Sequence, residues 1–542
     1  MKQASALLSV VVGPVLVRCR AGAALLIAGV FWLSAPACAA PGLAAPITSV
    51  ERWDYVELRL DGPAGGNPFV DVTLAAQFVQ GKRRVEVNGF YDGDGVYRLR
   101  FMPDTVGEWR YETRSNRAEL RGKRGAIMVS AARPGNHGPV GVRDTFHFAY
   151  ADGTPFHQIG TTSYSWLHHN EALEEQTLTT LAASPFNKLR MTVIPMQQNR
   201  PARFPFVGKP PTDWDLTRFD PAFFRHFEQR IGQLRALGIE ADLILFHPYD
   251  KGKFGFDRMP PEADDRYLRY VVARLSAFRN VWWSMANEYD YLTEKKTADW
   301  DRYFHIVQAS DPYQHLRSIH NAMEFYDQTL PWVTHASIQS GAAAEDFNRA
   351  AIFRDVYRKP VVFDEVKYEG DMPQRWGQLT PEAMLLRFWE GTIAGTYVGH
   401  SESYRDPVDD LPWLDKGGVF IGGSVARIAF LRRILEAGPA DGLEPAAPGS
   451  ETPFAGKRGS YYLGYFGRET PSSWAFALPA AGLREGMKFK VEVIDTWNMT
   501  ITPVAGEFEL TAKGGDSFGD KAGRAIALPG RAYMGLRITL QP

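Results

Sequence analysis

The segment Val-Trp-Trp-Ser-Met-Ala-Asn-Glu-Tyr-Asp, residues 281–290, is an apolar run that ends in the polar pair Asn287 and Glu288. The run is short, rich in aromatic and β-branched residues, and follows a helix-like segment at residues 264–278. These features predict a buried parallel strand of an α/β fold. Because functional side chains of such folds lie at the carboxyl ends of the strands, we expect Glu288 to face a cleft.

A second segment repeats this design. Residues 359–365, Lys-Pro-Val-Val-Phe-Asp-Glu, place Glu365 at the end of another short apolar run. Two parallel strands would direct Glu288 and Glu365 into one cleft. Retaining glycoside hydrolysis needs such a pair roughly 5 Å apart, with one carboxyl group as acid and then base and the other as nucleophile. The two segments therefore predict a catalytic pair.

The surrounding sequence predicts an α/β fold, a (β/α)8 TIM barrel over residues 145–440, because strand-like and amphipathic helix-like segments alternate there. The predicted strands are residues 156–162, 186–195, 239–247, 281–288, 316–320, 332–339, 360–365 and 395–400. Predicted helices include residues 223–237, 266–278, 300–309, 343–357, 381–394 and 424–436. Short alternating runs predict an N-terminal immunoglobulin-like β-sandwich at 47–133 and a C-terminal β-sandwich at 449–542.

The amino terminus predicts a signal peptide. Residues 1–39 hold three basic residues and no acid, then an apolar run at 21–33 and the sequence Ala-Pro-Ala-Cys-Ala-Ala, which favours cleavage after Ala39. The apolar run is shorter than the roughly 20 residues that span a bilayer. We therefore expect a secreted or periplasmic protein with no membrane anchor in the mature chain. Both cysteines, Cys19 and Cys38, fall in this segment, so no disulfide is expected.

The charge balance excludes some classes of partner. The full chain has 61 Lys and Arg against 62 Asp and Glu, and cleavage would remove three basic residues and no acid. A mature chain with an acidic excess argues against a nucleic-acid or anionic-membrane partner. We therefore expect a carbohydrate substrate and no nucleic acid; the sequence does not indicate an oligomeric state.

Further polar residues lie at or near the ends of the predicted strands. One such residue alone is more often a structural group, but their recurrence at one structural position favours a polar barrel mouth that binds substrate. These candidates are Arg190, His247, His320, Gln339 and His400.

The Asn-Glu pair after the fourth strand, with a Glu ending the seventh, resembles the clan A glycoside hydrolases, which include the cellulase-like family 5 enzymes. The resemblance implies that Glu288 is the acid/base, that Asn287 binds the sugar 2-hydroxyl and that Glu365 is the nucleophile. It also matches Arg190 to the clan's second-strand arginine and His247 to its third-strand histidine. Alternation along the strand turns Asp364 to the opposite side from Glu365.

A closer likeness covers nearly the whole mature chain. The order β-sandwich, barrel, β-sandwich, with Asp-Glu-Val-Lys-Tyr-Glu-Gly at 364–370 and Lys-Gly-Gly at 416–418, resembles bacterial apiosidase-like glycoside hydrolases. The eighth strand lacks the clan's usual tryptophan, so Trp413 or Tyr404 would supply an apolar floor for the sugar. Glu402 would bind a substrate hydroxyl. Trp166 and Tyr368 complete the predicted substrate contacts.

Two alternatives to a retaining glycoside hydrolase follow from other features. A metal-dependent barrel hydrolase needs a His-x-His on the first strand, and Tyr164-Ser-Trp166 offers none. We found no cluster with metal-ligand spacing and expect neither metal nor organic cofactor. A carbohydrate-binding barrel without catalysis, or a transglycosylase with the same residues, stays open. The sequence predicts the reaction class and leaves the sugar, its ring form and endo or exo action undetermined.

Overall fold

The computed structural model describes residues 48–446, 453–514 and 516–541, which belong to one compact unit. The predicted signal peptide at residues 1–39 lies outside the described residues. Within the described ranges, no helix combines the length and apolar character needed to cross a membrane.

The centre of the molecule is a ring of eight parallel strands, which confirms the predicted TIM barrel. Seven neighbouring pairs form one continuous sheet, and a single parallel bridge between His320 and Ser337 closes it between the fifth and sixth strands. In chain order, the strands are Gly160–Thr162, Lys188–Thr192, Glu240–Phe246, Val281–Ala286, Arg317–Ser318, Ala336–Gln339, Val361–Glu365 and Tyr397–His400. The third and fourth strands are buried along their whole length, as expected for parallel strands covered on both faces.

Helices cover the outside of the barrel. They are Glu171–Ala182, Pro221–Ala236, Pro261–Leu275, Thr297–Ser310, Phe347–Tyr357, Pro381–Ile393 and Ser424–Glu436. Three of them begin at a proline, which suits the first turn because its missing N–H would have no partner there. The helix that follows the sixth strand begins at Phe347, whereas the sequence predicted a start at residue 343. It begins there because the Asp346 side chain accepts hydrogen bonds from the N–H groups of Asn348 and Arg349.

The connection between the fifth and sixth strands corrects the prediction of eight regular strand-helix units. Among the described residues, positions 319–335 contain turns and loops but no helix. The Lys359 ammonium group holds this loop in place. It donates hydrogen bonds to the carbonyl oxygens of Gln328, Leu330 and Val333 at 2.8, 2.6 and 2.7 Å. A positive charge on several carbonyl groups stabilises this loop without helical hydrogen bonds.

Two separate apolar clusters form the barrel wall. One contains buried side chains of the second, third and fourth strands, among them Leu189, Leu243 and Trp283. The other contains side chains of the sixth, seventh and eighth strands, among them Phe363 and Val398, and extends into the C-terminal region. The two halves of the wall are joined on one side by the single bridge and on the other by the first strand, which pairs with both the second and the eighth strands.

The N-terminal region is a β-sandwich of a five-stranded and a three-stranded sheet, as predicted. In sheet order, the strands are Thr48–Glu51, Arg124–Ser130, Gly107–Ser115, Leu74–Gln80 and Arg83–Asn88, and then Val56–Asp61, Val96–Phe101 and Phe90–Tyr91. Phe78 and Phe101 stack face to face in the core between them. A short helix, Pro68–Asp71, and two hairpins, Val140–Arg143 with His147–Tyr150 and Phe206–Lys209 with Asp213–Phe219, complete this side of the molecule.

Buried charges join the N-terminal sandwich to the barrel. The Arg100 guanidinium donates to Glu228 at 2.8 Å, and Arg274 donates to Glu228 at 2.5 Å and to Asp92 at 2.9 Å. These side chains are buried. Removing one partner would leave an unpaired buried charge, so the network fixes the sandwich firmly against the barrel.

The C-terminal region is also β-rich. Its main sheet contains Glu444–Ala446, Phe454–Lys457, Tyr461–Tyr465, Met534–Leu540, Lys488–Asp495, Phe508–Ala512, Ser517–Asp520 and Ala477–Pro479 in sheet order, with Thr500–Pro503 beside Lys488–Asp495. Ser473–Ala475 pairs with Ala525–Ala527. Trp389 of the barrel stacks on Tyr465 of this sheet at 5.2 Å between ring centroids. The domain boundaries given by the sequence stay predictions.

Candidate active site

A cavity of about 560 Å³ opens at the carboxyl ends of the barrel strands. Four residues singled out from the sequence line it: Glu288, Gln339, Glu365 and Tyr368. The rest of its wall consists of Tyr164, Met196, Tyr249, Ala322, Ser340, Gly341, Lys367, Met372, Trp376, Leu414 and Asp415. The barrel therefore brings both predicted catalytic carboxyl groups to one concave site with aromatic walls.

Glu365 ends the seventh strand and is held by groups from three other parts of the ring. It is 5% exposed, and its Oε1 accepts a hydrogen bond from the Tyr164 hydroxyl. The Arg190 guanidinium lies 3.4 Å and the His320 Nε2 lies 3.6 Å from the same oxygen. The Glu365 carboxyl group therefore has a hydroxyl donor and a guanidinium group beside it in a buried position.

The residues behind Glu365 form a buried charge network, the Lys188 network. Lys188 Nζ donates to Asp242 at 2.9 Å and to Asp364 at 2.7 Å, while Arg190 lies 3.8 Å from Asp242 and donates to the side-chain oxygen of Asn287. Burial alone would raise the pKa of Asp364, but Lys188 and Arg190 hold it well below its usual range. Asp364 is therefore bound up in ion pairs, and the alternation argument against it as nucleophile agrees with this position.

Glu288 lies in a different environment. Its backbone is in the left-handed region, with φ 44° and ψ 53°, directly after the fourth strand. Such strained non-glycine residues concentrate at functional sites. Its Oε2 accepts a hydrogen bond from the Tyr249 hydroxyl at 2.8 Å. Burial, and next the charge of Glu365, raise the pKa of Glu288 to about 7, against the lowering effect of hydrogen bonds from Tyr249 and Gln339.

Three tyrosine hydroxyl groups lie around the two carboxyl groups, Tyr164 and Tyr368 near Glu365 and Tyr249 at Glu288. The Tyr164 and Tyr368 hydroxyls are 3.0 Å apart, and the side-chain amide of Asn287 donates to the Tyr249 hydroxyl. Burial raises the pKa of all three tyrosines well above the usual value, and the charge of Glu365 adds to this, so they remain neutral donors. Sequence analysis missed Tyr164 and Tyr249 as site residues, although each follows closely on the end of a barrel strand.

The outer part of the cavity wall contains one exposed aromatic side chain and two ionisable ones. Trp376 is 40% exposed and can stack on a sugar ring, while Lys367 and Asp415 bring one charge of each sign. Burial raises the pKa of Asp415 to about 6, and a hydrogen bond from Gln198 opposes this. Lys367 has φ 69° and is, like Glu288, a non-glycine residue with a left-handed backbone beside the cavity. No pattern in the sequence pointed to these residues.

Three predicted site residues lie directly behind the cavity wall. Arg190, Asn287 and His320 are at most 1% exposed and are not among the lining residues. They act on the cavity through its lining: Arg190 and His320 contact Glu365, and Asn287 contacts Tyr249.

Five other predicted substrate contacts are buried and do not line this cavity, and their role as substrate contacts stays a prediction. His247 Nε2 is 2.9 Å from the carbonyl oxygen of Ile194, and burial lowers its pKa to about 4. The Trp166 indole N–H donates to the sulfur of Met191 at 2.9 Å. Both are satisfied structural groups of the barrel.

The remaining three lie on the side of the eighth strand. The Trp413 indole N–H donates to the Thr161 hydroxyl at 3.3 Å, and the same hydroxyl is 3.1 Å from His400 Nδ1. Glu402 accepts a hydrogen bond from the N–H of Ile421 at 2.8 Å. Burial raises the pKa of Glu402 to about 7. His400 and Glu402 lie at or just after the end of the eighth strand. Their side chains point away from the cavity and into the packing between a loop and a helix.

The same region contradicts the expectation that no residues have metal-ligand spacing. In the described part of the chain, Glu369, His400 and Glu402 each offer one ligand atom, and these atoms lie within 4.8 Å of one another. This group, the 369–402 cluster, lies outside the cavity. It cannot supply a cation to the paired glutamates directly.

Comparison with known proteins identifies the family. The family model of the apiosidase-like catalytic domain matches residues 143–401. Models of two domains of unknown function, DUF5060 and DUF5605, match residues 49–116 and 451–539. No curated protein matches the sequence.

Solved structures agree with this. A candidate glycoside hydrolase from Bacteroides vulgatus is 43% identical with a TM-score of 0.88, over 91% of this chain and 100% of that one. A protein described as a glycoside hydrolase (14% identity, TM-score 0.57, 76% and 99% covered) and a glycoside hydrolase family 5 protein from Bacteroides vulgatus (15%, 0.56, 76% and 95%) share the fold. Given the full-length relative and the catalytic-domain match around the paired carboxyl groups, the chain belongs to the apiosidase-like glycoside hydrolases.

Proposed function

We propose that this glycoside hydrolase cleaves O-glycosidic bonds of an oligo- or polysaccharide with retention of configuration, with Glu365 as nucleophile and Glu288 as acid/base. The observation that carries the proposal is the contrast between two carboxyl groups in one cavity. Glu365 lies beside a guanidinium group, whereas burial and the charge of Glu365 raise the pKa of Glu288 to about 7. Pairs of carboxyl groups with such different environments divide the acid and nucleophile roles.

In the first step, a Glu365 oxygen attacks the anomeric carbon while Glu288 gives its proton to the glycosidic oxygen, and the leaving group departs as an alcohol. The negative charge of Glu365 disappears as it forms the glycosyl ester. Because that charge helps to raise the pKa of Glu288, the pKa falls in the intermediate. Glu288 is then an anion that can take a proton from water, and the water releases the sugar and restores the Glu365 carboxylate.

The neighbouring groups support the two roles. The Tyr164 hydroxyl donates a hydrogen bond to the Glu365 carboxylate, and the Arg190 guanidinium lies 3.4 Å from it. Tyr249 orients Glu288 through its hydrogen bond at 2.8 Å. Groups that are already oriented need little reorganisation when charge moves during the reaction.

The experiment compares Glu365→Gly with Glu288→Ala on a panel of aryl pyranosides and furanosides. Glu365→Gly should lose turnover on every substrate, whereas Glu288→Ala should keep the first step on substrates whose leaving group has a low pKa. Azide should rescue Glu288→Ala with a glycosyl azide of retained configuration and Glu365→Gly with one of inverted configuration. Glu294→Ala, at an exposed site six residues further along the chain, is the matched control and should behave like the wild type.

Each product outcome has a definite meaning. Exchanged configurations of the two glycosyl azides would reverse the roles of Glu288 and Glu365, and full activity of both variants would place the catalytic pair elsewhere. Transfer to an added sugar acceptor in preference to water would make the enzyme a transglycosylase with the same residues. The wild-type product, followed by proton NMR before mutarotation, reports retention or inversion directly.

We also propose that the enzyme acts outside the cytoplasm on its carbohydrate substrate, because the amino-terminal sequence is typical of a secretory signal. N-terminal sequencing of the mature protein should begin at Ala40. A mature protein that starts at Met1 would overturn this proposal.

A further inference from the structure

We infer that the 369–402 cluster binds one divalent transition-metal ion, of the zinc or manganese class, which fixes the loop that carries one wall of the cavity. The three side chains are at most 1% exposed, so the ligand atoms meet inside the protein. One imidazole nitrogen and two carboxylate oxygens form a mixed ligand set that suits zinc or manganese better than calcium, which prefers oxygen alone.

The first observation is a pair of buried polar atoms without partners. His400 Nε2 and Glu402 Oε1 have no hydrogen-bond partner among the described residues, although both face each other at 3.8 Å. This distance exceeds the 3.2 Å limit of an ordinary hydrogen bond. Two ligands that share one cation at about 2.0–2.4 Å from each are expected roughly 3–4 Å apart. The distance therefore fits two ligands of one ion.

The second observation concerns charge. Among the described residues, no Lys or Arg forms an ion pair with Glu402, whose Oε2 accepts a hydrogen bond from the N–H of Ile421 at 2.8 Å. Glu369 itself accepts hydrogen bonds from the N–H groups of Gly423 at 2.7 Å and Ser424 at 3.2 Å, at the start of helix Ser424–Glu436. The Ser424 hydroxyl also donates to Glu369, so donors satisfy both oxygens of Glu369. Glu402 Oε1 is the carboxylate oxygen of the cluster that has no partner among the described residues, and a cation would supply one.

The third observation is the close approach of Gly422 to the two carboxyl groups. A Cβ atom at Gly422 would lie 2.5 Å from Glu369 Oε1 and 2.7 Å from Glu402 Oε1. Gly422 does not have a positive φ between 20° and 160°, so the backbone does not demand a glycine there. A side chain at this position would collide with both oxygens, so glycine allows the two carboxyl groups to lie side by side.

The position of the cluster explains what the ion would do. Glu369 follows Tyr368, which lines the cavity, and Trp376 lies further along the same loop. The backbone of Glu369 contacts the next loop through Ser401 O at 3.2 Å and Ser403 N at 2.7 Å. An ion at Glu369, His400 and Glu402 would join this loop to the eighth strand and to the Glu402 side chain. The role is structural and adds to the function proposed above without entering its chemistry.

The test uses the untagged full-length mature protein, since a histidine tag binds the same ions. Metal content is measured by mass spectrometry before and after dialysis against EDTA, and ZnCl2 and MnCl2 are then added separately. One of these ions should bind with a stoichiometry of one and raise the Tm by roughly 2–5 °C at saturation, because it binds the folded state only. Glu402→Gln should weaken binding more than ~10-fold and abolish the Tm shift.

Glu390→Gln is the matched control, because burial also raises the pKa of Glu390 to about 7 and Glu390 is not part of the cluster. It should retain the metal-dependent shift. If Glu402→Gln does not fold, the Mn²⁺ EPR spectrum of the wild type shows whether a nitrogen and carboxylates bind the ion. Binding of neither ion by the EDTA-treated wild type, unchanged binding by Glu402→Gln, or a Tm that responds to pH near 7 but to neither ion would overturn the inference.

Discussion

The wall of the cavity that carries Glu365 differs from the wall that carries Glu288. Glu365 ends a regular strand and contacts the Arg190 guanidinium at 3.4 Å, so a permanent positive charge faces it. Glu288 lies in a left-handed turn and accepts its hydrogen bonds from the neutral groups of Tyr249 and Gln339. The difference teaches that the fold can give one residue type two roles, by supplying a cation on one side and only neutral donors on the other.

The largest expected effect comes from the Glu365 wall. Glu365→Gln keeps the shape of the side chain but removes the carboxylate that we propose as nucleophile, so kcat should fall by ~10⁴-fold or more. Steady-state kinetics with an activated aryl glycoside measures this, with Glu294→Gln as the control at an exposed site. A loss smaller than ~10-fold would remove Glu365 from the chemistry.

The second largest effect on activity is expected from removing the Arg190 guanidinium group. Arg190→Met leaves Glu365 and Asn287 without their guanidinium partner, so kcat/KM should fall by ~10²–10³-fold and unfolding should become easier by about 3–5 kcal/mol. Kinetics at a temperature where both proteins are folded, together with urea unfolding, separates the two losses. If a folded Arg190→Met protein kept the kcat/KM of the wild type, the guanidinium group beside Glu365 would not matter for activity, and the contrast between the two walls would have no functional meaning.

A smaller effect is expected on the Glu288 wall. The hydrogen bond from Tyr249 lowers the pKa of Glu288, so Tyr249→Phe should raise it above its value of about 7. Because the proposed acid works in its protonated form, kcat/KM of the wild type should fall as the pH passes about 7, and this alkaline limb should move to higher pH in the variant. Tyr267→Phe, whose hydroxyl contacts a barrel carbonyl, is the control and should leave the limb in place.

The smallest effect concerns stability. The pKa of Glu288 is raised in the folded state, so its contribution is present below the unfolded value of 4.5 and is lost as the pH rises through about 7. Glu288→Gln resembles the protonated form at every pH. Its Tm should therefore exceed that of the wild type by about 2–4 °C above pH 7 and equal it below pH 4.5. If the Tm difference between the variant and the wild type were the same at every pH in this range, it would not arise from the ionisation of Glu288.

The sequence predicted the barrel well because each strand is a short apolar run whose end is marked by a polar residue, as at Glu288 and Glu365. For the same reason it predicted that Glu288 and Glu365 share one cavity. It did not distinguish polar residues that face the cavity from those that turn sideways, such as His400 and Glu402, because the loop after a strand has no fixed period. Tyr164 and Tyr249 lie in such loops and carried no distinguishing pattern.

Two further features were missed by the sequence analysis for a different physical reason. The missing helix between the fifth and sixth strands is replaced by carbonyl groups around the Lys359 ammonium, a contact between distant parts of the chain. The 369–402 cluster likewise joins a loop to the end of the eighth strand. Neither can be derived from local periodicity, because both depend on tertiary packing.

The single bridge between His320 and Ser337 has a consequence for how this enzyme family can diverge. Glu288 follows a strand of one apolar cluster and Glu365 ends a strand of the other, so the gap between their carboxyl groups depends on how the two halves pack. Retention requires a gap of roughly 5–5.5 Å and inversion one of roughly 6.5–9.5 Å. Core substitutions that shift one half by an ångström or more can therefore change the stereochemical outcome in a descendant that keeps both glutamates.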